Sequence, residues 1–365
     1  MSDSGRASEA LRTGGGVSAV PGTAPQAAAL AWDRISTYLA AQGYAPERDV
    51  APRQFAGGLA NLNFLVRVSG ESMVLRRPPG GPLPKGAHDM VREHRILSRL
   101  SQALAFVPRG LHLCMDLDVI GVPFQLIEYR EGMVLRGDDW SFQGRELQMT
   151  GQLVETLAEL HGVDPAAVGL DDLGRPEGFF ARAAAGWRDR GQRVAETPSE
   201  RGLVDDIGLW LMAQHVREDE ARLLHCDFKL DNCILDPASL QPRAVVDWDM
   251  GTRGPPLFDL ATLLSYWTQP GDPPAMQALQ QMPTAAAGFP RRDEVVALYA
   301  HLTGRDVADY PAFRVLAVFK LAIVFLQLHR NWTRGAIGDA RYAGFRELGL
   351  GLLDYAQAIS RGTLS

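Results

Sequence analysis

The sequence predicts an α+β fold of two lobes, a small five-stranded antiparallel lobe carrying one helix and a larger, mainly helical lobe. Two observations lead there. Residues 53–129 alternate as strand, strand, strand, helix, strand, strand. Beyond Glu131-Gly132 the apolar spacing becomes helical, with a single island of strand signal. A chain of 365 residues is long enough to bury one large core or two modest ones. The expected division is a disordered tail over 1–28, a first lobe over 29–130 and a helical lobe over 131–365.

The elements follow in order. Residues 1–28 are rich in Gly, Ala, Ser and Pro and lack the charged start and apolar run of a signal peptide. Residues 28–42 read as a helix ended by Gly43, with Leu30, Ile35 and Leu39 on one side. Strand signals at 53–56 and 63–68 are separated by Gly57-Gly58, and 72–77 follows the turn Ser69-Gly70-Glu71. A helix over 88–100 and strands over 111–115 and 122–129 complete the first lobe. In the second lobe, helical spacing runs over 147–161, 179–193, 203–217, 257–266, 293–303, 312–332 and 341–359. The strand island is 233–235 with 244–246. Residues 269–290, rich in Pro and Ala, read as a mobile insertion that could serve as a lid.

Composition narrows the function. A formal net charge of -6 argues against a general binder of nucleic acid or anionic membranes. Cys114, Cys226 and Cys233 have spacings that match neither a zinc site nor a disulfide framework, which fits a reduced, cytoplasmic setting. The longest apolar stretch, 321–326, is too short to span a bilayer and is flanked by Lys320 and Gln327.

The chemistry gathers at the strand island. It reads His225-Cys226-Asp227-Phe228-Lys229-Leu230-Asp231-Asn232, then a hairpin, then Asp247-Trp248-Asp249. Phosphoryl transfer needs a carboxylate to orient the attacking hydroxyl, and oxygen ligands for a Mg²⁺ ion that bridges the nucleotide phosphates. An Asp, an Asn five residues on and a further Asp beyond a strand supply those groups from one compact region. Asp and Asn are also common in turns, so the spacing gains its force from the strands around it.

This segment resembles the catalytic loop of the protein-kinase-like superfamily, H-x-D-x-x-x-x-N followed by a metal-binding Asp. It is similar in particular to the aminoglycoside phosphotransferase and choline kinase family, which has H-G-D at this point and D-W-[DE] further on; Cys226 replaces the Gly. The resemblance implies that Asp227 is the catalytic base, that Lys229 neutralises the transferred phosphate, and that Asn232 and Asp247 hold Mg²⁺. It implies further that His225 holds the loop and that Asp259 braces its backbone, and it leaves Asp249 either near the metal or capping a turn.

For ATP, the resemblance points to Gly57, Gly58 and Asn61 at the first hairpin, where kinases lay a loop over the phosphates; a plain hairpin turn fits Gly57-Gly58 equally well. Arg76 falls where kinases carry the phosphate-pairing strand lysine, with Glu93 as its helix partner. Only one of Arg76 and Arg77 can point inward, and Arg76 is the choice. Residues 128–131, starting at Glu128, should form the hinge whose backbone binds adenine.

One branch resembles the chain most, the kinase-like domains fused in some organisms to acyl-CoA dehydrogenases. The shared features are Gly57-Gly58 with Asn61-Leu62, Val74-Leu75-Arg76-Arg77-Pro78-Pro79, His88-Asp89-Met90 with Arg92-Glu93, and Gly335. The kinship implies an ATP- and Mg²⁺-dependent kinase whose acceptor is a small-molecule hydroxyl, with a hydroxyacyl-CoA or other anionic alcohol as the candidate class. Lys320, His329 and Arg330, on an otherwise apolar helix, either snorkel to solvent or meet an anionic substrate. An aminoglycoside, being polycationic, would want clustered carboxylates, and the last helix offers only Glu347 and Asp354. The rival reading is a pseudokinase, a nucleotide-binding scaffold without catalysis; Arg76 favours it, while the joint presence of Asp227, Lys229, Asn232 and Asp247 favours an enzyme. The sequence leaves the oligomeric state open.

Overall fold

Alternation in the strands sets the first lobe. The computed structural model describes residues 30–55, 61–79, 89–135, 142–218, 220–279, 281–335 and 340–364. Strands β1 (Arg53–Gln54), β2 (Leu62–Val68), β3 (Glu71–Arg77), β4 (Gly110–Cys114) and β5 (Phe124–Glu128) form one antiparallel sheet in the order β1-β2-β3-β5-β4. Helix α1 (Trp32–Ala41) covers one face, where Ile35 and Leu39 pack with Phe64, Val66, Met73 and Leu75. Val74, which points to the other face, joins the core of the second lobe. Helix α2 (Met90–Leu100) is capped by Asp89, whose side chain accepts from Arg92 N, and buries Met90, Glu93, Ile96, Leu97 and Leu100 along one stripe. A one-turn helix α3 (Leu117–Ile120) fills the β4–β5 connection. The proposed tail and Gly57-Gly58 lie outside the described residues.

The second lobe is helical around two small ladders. Its helices are α4 (Glu146–Gly162), α5 (Phe179–Val194), α6 (Pro198–Met212), α7 (Leu257–Ser265), α8 (Pro274–Leu279), α9 (Arg292–Thr303), α10 (Tyr310–Thr333) and α11 (Phe345–Ser360). Strands β6 (Arg222–Leu224) and β9 (Thr252–Gly254) pair around the inner pair β7 (Cys233–Leu235) and β8 (Pro242–Val245). The nesting brings the β6–β7 and β8–β9 loops to one place. Those loops carry Asp227 and Asp247.

Two expectations need correction. Helix α6 starts at Pro198 and ends at Met212 rather than spanning 203–217, because Thr197 and Glu200 form a capping box around Pro198. Residues 269–290 are not a mobile lid. Met276, Leu279 and Met282 are buried in the core, Trp267 Nε1 donates to Pro290 O at 3.1 Å, and buried Arg292 pairs with Asp272. The segment is rich in proline, but the apolar residues between the prolines anchor it. The apolar stretch around 321–326 belongs to α10, whose 24 residues have the length and hydropathy of a membrane span, yet 72% of that window is buried inside the lobe. It is the core helix on which α5, α7 and α11 pack.

Candidate active site

The β6–β7 loop is braced from below before any functional group is placed. Asp259, fully buried on α7, accepts from the backbone N–H of His225 at 2.6 Å and of Cys226 at 2.7 Å. His161 from α4 approaches the same carboxylate at 3.5 Å and is held on its other nitrogen by the Tyr299 hydroxyl at 2.6 Å. His225 Nε2 donates to Val246 O at 2.9 Å, which ties the two loops together, and its ring lies 4.5 Å from that of Trp248. Cys226 holds a left-handed φ of 66°, the conformation that favours a glycine there. Lys320, only 6% exposed, donates to the Cys226 carbonyl. It neither snorkels to solvent nor stands free for a substrate, so both readings of Lys320 give way to a brace on the loop. His329 is bound to Tyr342 O at 3.1 Å.

On that brace the predicted catalytic residues converge. Asn232, in the 3-10 turn Leu230–Asn232, donates from Nδ2 to the Asp227 carbonyl at 2.9 Å and to its Oδ2 at 3.2 Å. Lys229 Nζ lies 3.2 Å from Asp227 Oδ2 and 3.9 Å from Asp231. The Tyr266 hydroxyl, at the end of α7, donates to Asp227 Oδ1 at 3.3 Å, and Lys229 sits over its ring at 4.8 Å. Burial works to raise the Asp227 pKa, but the charges of Lys229 and Lys320 outweigh it and hold the carboxyl below its ordinary value. Burial likewise opposes the charge on Lys229, and Asp227 and Asp231 more than restore it. At neutral pH the loop therefore presents a carboxylate beside a cation.

The first lobe closes the other side of the cleft. Arg76, 3% exposed, places Nε 2.7 Å from Glu93 and donates a second nitrogen to Asp247 and a third to Asn63 Oδ1 at 3.4 Å. Burial disfavours its charge, yet Glu93 and Asp247 raise its pKa above the ordinary value, so it stays a cation. Arg77, on the opposite face of β3, lies 6.0 Å over the Phe64 ring and donates to Pro78 O at 3.1 Å. Glu93 also accepts from Trp248 N at 3.3 Å and from Gln125 at 2.7 Å, which joins α2 to the Asp247 loop. Gly251 allows that junction, because a Cβ there would come within 2.4 Å of Ile96 Cδ1. Asn61 Nδ2 donates to Asp249 Oδ2 at 3.3 Å, and burial together with Asp247 pushes the Asp249 carboxyl up to about 8.

A pocket between the lobes is lined by Val74, Arg76, Ile127, Glu128, Val246 and Asp247 among others. The Glu128 backbone N–H donates to Arg109 O, and its carboxylate is taken by Arg130 at 2.9 Å and by Arg109 N at 3.0 Å. Its side chain thus fixes the strand end, and Tyr129 and Arg130 follow it along the pocket wall.

The donor set fits a small hard cation. Asn232 Oδ1 is buried with no hydrogen-bond partner, an orphan acceptor of the kind a metal satisfies. Asp247 turns one oxygen to Arg76 and holds a left-handed φ of 72°, a strained conformation of the kind that gathers at functional sites. Of the predicted residues, Asp227, Lys229, Asn232 and Asp247 gather with Arg76 and Glu93, and Asn61 reaches the group through Asp249. Tyr266 went unread because a tyrosine ending an apolar helix gives no local signal. The β6–β9 pair was missed because strands of three residues carry too little alternation to read.

Comparison with known proteins places this arrangement. Residues 52–295 match the model of the phosphotransferase enzyme family. The chain is 29% identical to acyl-CoA dehydrogenase family member 10 of Mus musculus over 332 residues, covering 88% of this chain and 30% of the mouse protein. It is 32% identical to acyl-CoA dehydrogenase family member 11 of the same species over 290 residues, covering 77% and 36%. The chain thus spans about a third of the length of these relatives, which carry this kinase-like domain. Among solved structures, a putative aminoglycoside phosphotransferase from Ralstonia eutropha is 24% identical with a TM-score of 0.69, covering 89% of this chain and 98% of that one. An ethanolamine kinase from Plasmodium vivax is 13% identical with a TM-score of 0.62, covering 100% and 96%. These two establish the two-lobed kinase-like fold. By the match over two thirds of its length and the loop geometry that underlies it, the chain belongs to the phosphotransferase enzyme family.

Proposed function

We propose that the chain transfers the γ-phosphoryl group of ATP to the hydroxyl of a small molecule, with a hydroxyacyl-CoA or a related anionic alcohol as the acceptor class. The observation that carries this is the Asp227 carboxylate, ordered by Asn232, Lys229 and Tyr266 yet 22% exposed, beside the unpartnered Asn232 Oδ1. In this reading Asp227 accepts the proton of the acceptor hydroxyl and orients its oxygen for in-line attack. Lys229 offsets charge on the phosphoryl oxygens. Arg76 holds the nucleotide phosphates through its guanidinium fork, with Glu93 keeping it in place. Asn232 and Asp247 would hold Mg²⁺, which when bound neutralises the phosphate oxygens. The adenine would lie against Ile127 and residues 128–131.

Support for the acceptor class is the kinship with two proteins named as acyl-CoA dehydrogenase family members, together with the scarcity of carboxylates on α11. ATP consumption measured side by side with hydroxyacyl-CoAs, aminoglycosides and choline tests it. Turnover on a hydroxyacyl-CoA alone is expected; strong turnover on an aminoglycoside and none on any acyl-CoA overturns it. The second reading, a nucleotide-binding scaffold, is favoured by Arg76 already spending its fork on Glu93 and Asp247. A nucleotide-induced melting shift with no phosphoryl transfer to any acceptor would select it.

A further inference from the structure

A cavity of about 550 Å³ lies in the second lobe between α9, the start of α10 and the end of α11. None of the proposed catalytic or metal-holding residues lines it. Tyr310 lines this cavity and Lys320, the brace on the catalytic loop, lies ten residues further along α10, which sets the two about 15 Å apart along the helix. The cavity is within the size range of small-molecule sites.

Its walls divide by chemistry. Val296, Pro311, Ile359 and Leu364 supply an apolar side. The polar side holds Gln269, Arg291, Arg292, Asp293, Tyr310 and Arg314. Arg314 donates to the Tyr355 hydroxyl at 2.6 Å, and its guanidinium lies 5.7 Å from that ring. Among the described residues no carboxylate pairs with it. The other cations of the wall differ in this respect, since Arg292 is neutralised by Asp272 and Arg291 lies 3.6 Å from Asp293. Tyr310 is 9% exposed, and its hydroxyl is buried without a hydrogen-bond partner. Burial pushes that hydroxyl's pKa up to about 12, with Arg314 and Arg292 pulling against it, so both guanidiniums lie within electrostatic reach of the ring.

We infer that this cavity is a second binding site, separate from the phosphoryl-transfer centre, for an aliphatic carboxylate whose head group meets Arg314 and whose chain lies on Val296, Pro311, Ile359 and Leu364. A planar carboxylate matches the guanidinium fork of Arg314. An apolar wall opposite a cation without a carboxylate partner selects against small hydrophilic anions, which would leave it unfilled. The inference does not depend on the proposed acceptor.

Isothermal titration of the full chain with octanoate, octanol and acetate tests it. Octanoate is expected to bind, with octanol (no charge) and acetate (no chain) each at least roughly tenfold weaker. Arg314→Gln should weaken octanoate by roughly tenfold, the loss of one charge-assisted contact. Ile359→Trp, which fills the apolar side from a half-buried position, should abolish binding, and thermal melts of both variants establish that they are folded. Octanoate should bind Asp227→Asn as it binds the wild type, with or without ATP. Absence of octanoate binding to the wild type, equal affinity in the wild type and both folded variants, or displacement by ATP would each overturn the assignment.

Discussion

The two sides of the cleft are built on opposite plans. On the first-lobe side, Arg76, Glu93 and Asp247 answer one another's charges across the lobes, with Arg76 and Glu93 almost fully buried. On the side of the Asp227 loop, the buried bracing is directed at backbone, and Asn232, Lys229 and Tyr266 hold the Asp227 carboxylate besides. Asp259 holds two N–H groups and Lys320 holds a carbonyl, while the Asp227 side chain stays partly exposed and Asn232 Oδ1 is left open. A charge cluster that satisfies itself must exchange a partner before it can hold phosphate. A loop braced through its backbone can receive metal and acceptor without rearranging. On the proposed function, nucleotide entry is then the step at which this cleft adjusts, while the Asp227 loop is preorganised.

The sharpest way to break that comparison is at Asp227. Asp227→Asn should cut turnover on a confirmed acceptor by about 10²–10⁴, the usual contribution of a positioned general base. It should keep the nucleotide-dependent melting shift, which for ligand at about 100 times its dissociation constant corresponds to roughly 2.7 kcal/mol. Unchanged turnover would remove Asp227 from the chemistry. The next effect is one of stability. Asp259→Ala strips the brace from two buried N–H groups and leaves His161 without its carboxylate, and should cost about 3–5 kcal/mol in chemical denaturation. A loss below about 1 kcal/mol would mean that the loop holds its shape without the brace.

Arg76 tests the other side. Arg76→Lys keeps one charge but loses the fork that spans Glu93 and Asp247, and should weaken ATP binding by about 1.5–3 kcal/mol by calorimetry. Arg77→Lys, on the outer face of β3, should change it by less than about 0.5 kcal/mol. Equal effects would dissolve the distinction between the two faces. The smallest effect is expected at Tyr266, where a long bond to Asp227 is worth about 1 kcal/mol. Tyr266→Phe should lower kcat about fivefold and leave the KM for ATP unchanged. A rise in that KM instead would place the hydroxyl on the nucleotide side.

The sequence by itself determined the strand order of the first lobe with its helix α2, the division into two lobes and the loop from His225 to Asn232, because each rests on residues within a few positions of one another. Period-2 and helical spacing are local, as are the Asp89 cap and the five-residue step from Asp227 to Asn232. Even the start of α6 was legible in Thr197-Pro198-Ser199-Glu200, a capping signal passed over in favour of apolar spacing. Tertiary structure alone decided the rest. Arg76 meets Asp247 across 171 positions, Lys320 meets Cys226 across 94, and Tyr266 meets Asp227 across 39. It also decided that residues 269–290 are fastened rather than loose, since the buried Arg292–Asp272 pair and the burial of Met276 and Leu279 exist only once α9 and α11 are in place. Local pattern fixes backbone geometry, because sterics and hydrogen bonding act over a turn or a strand. The partner of a buried charge is chosen by the folded chain, where desolvation makes an unpaired ion too costly to leave.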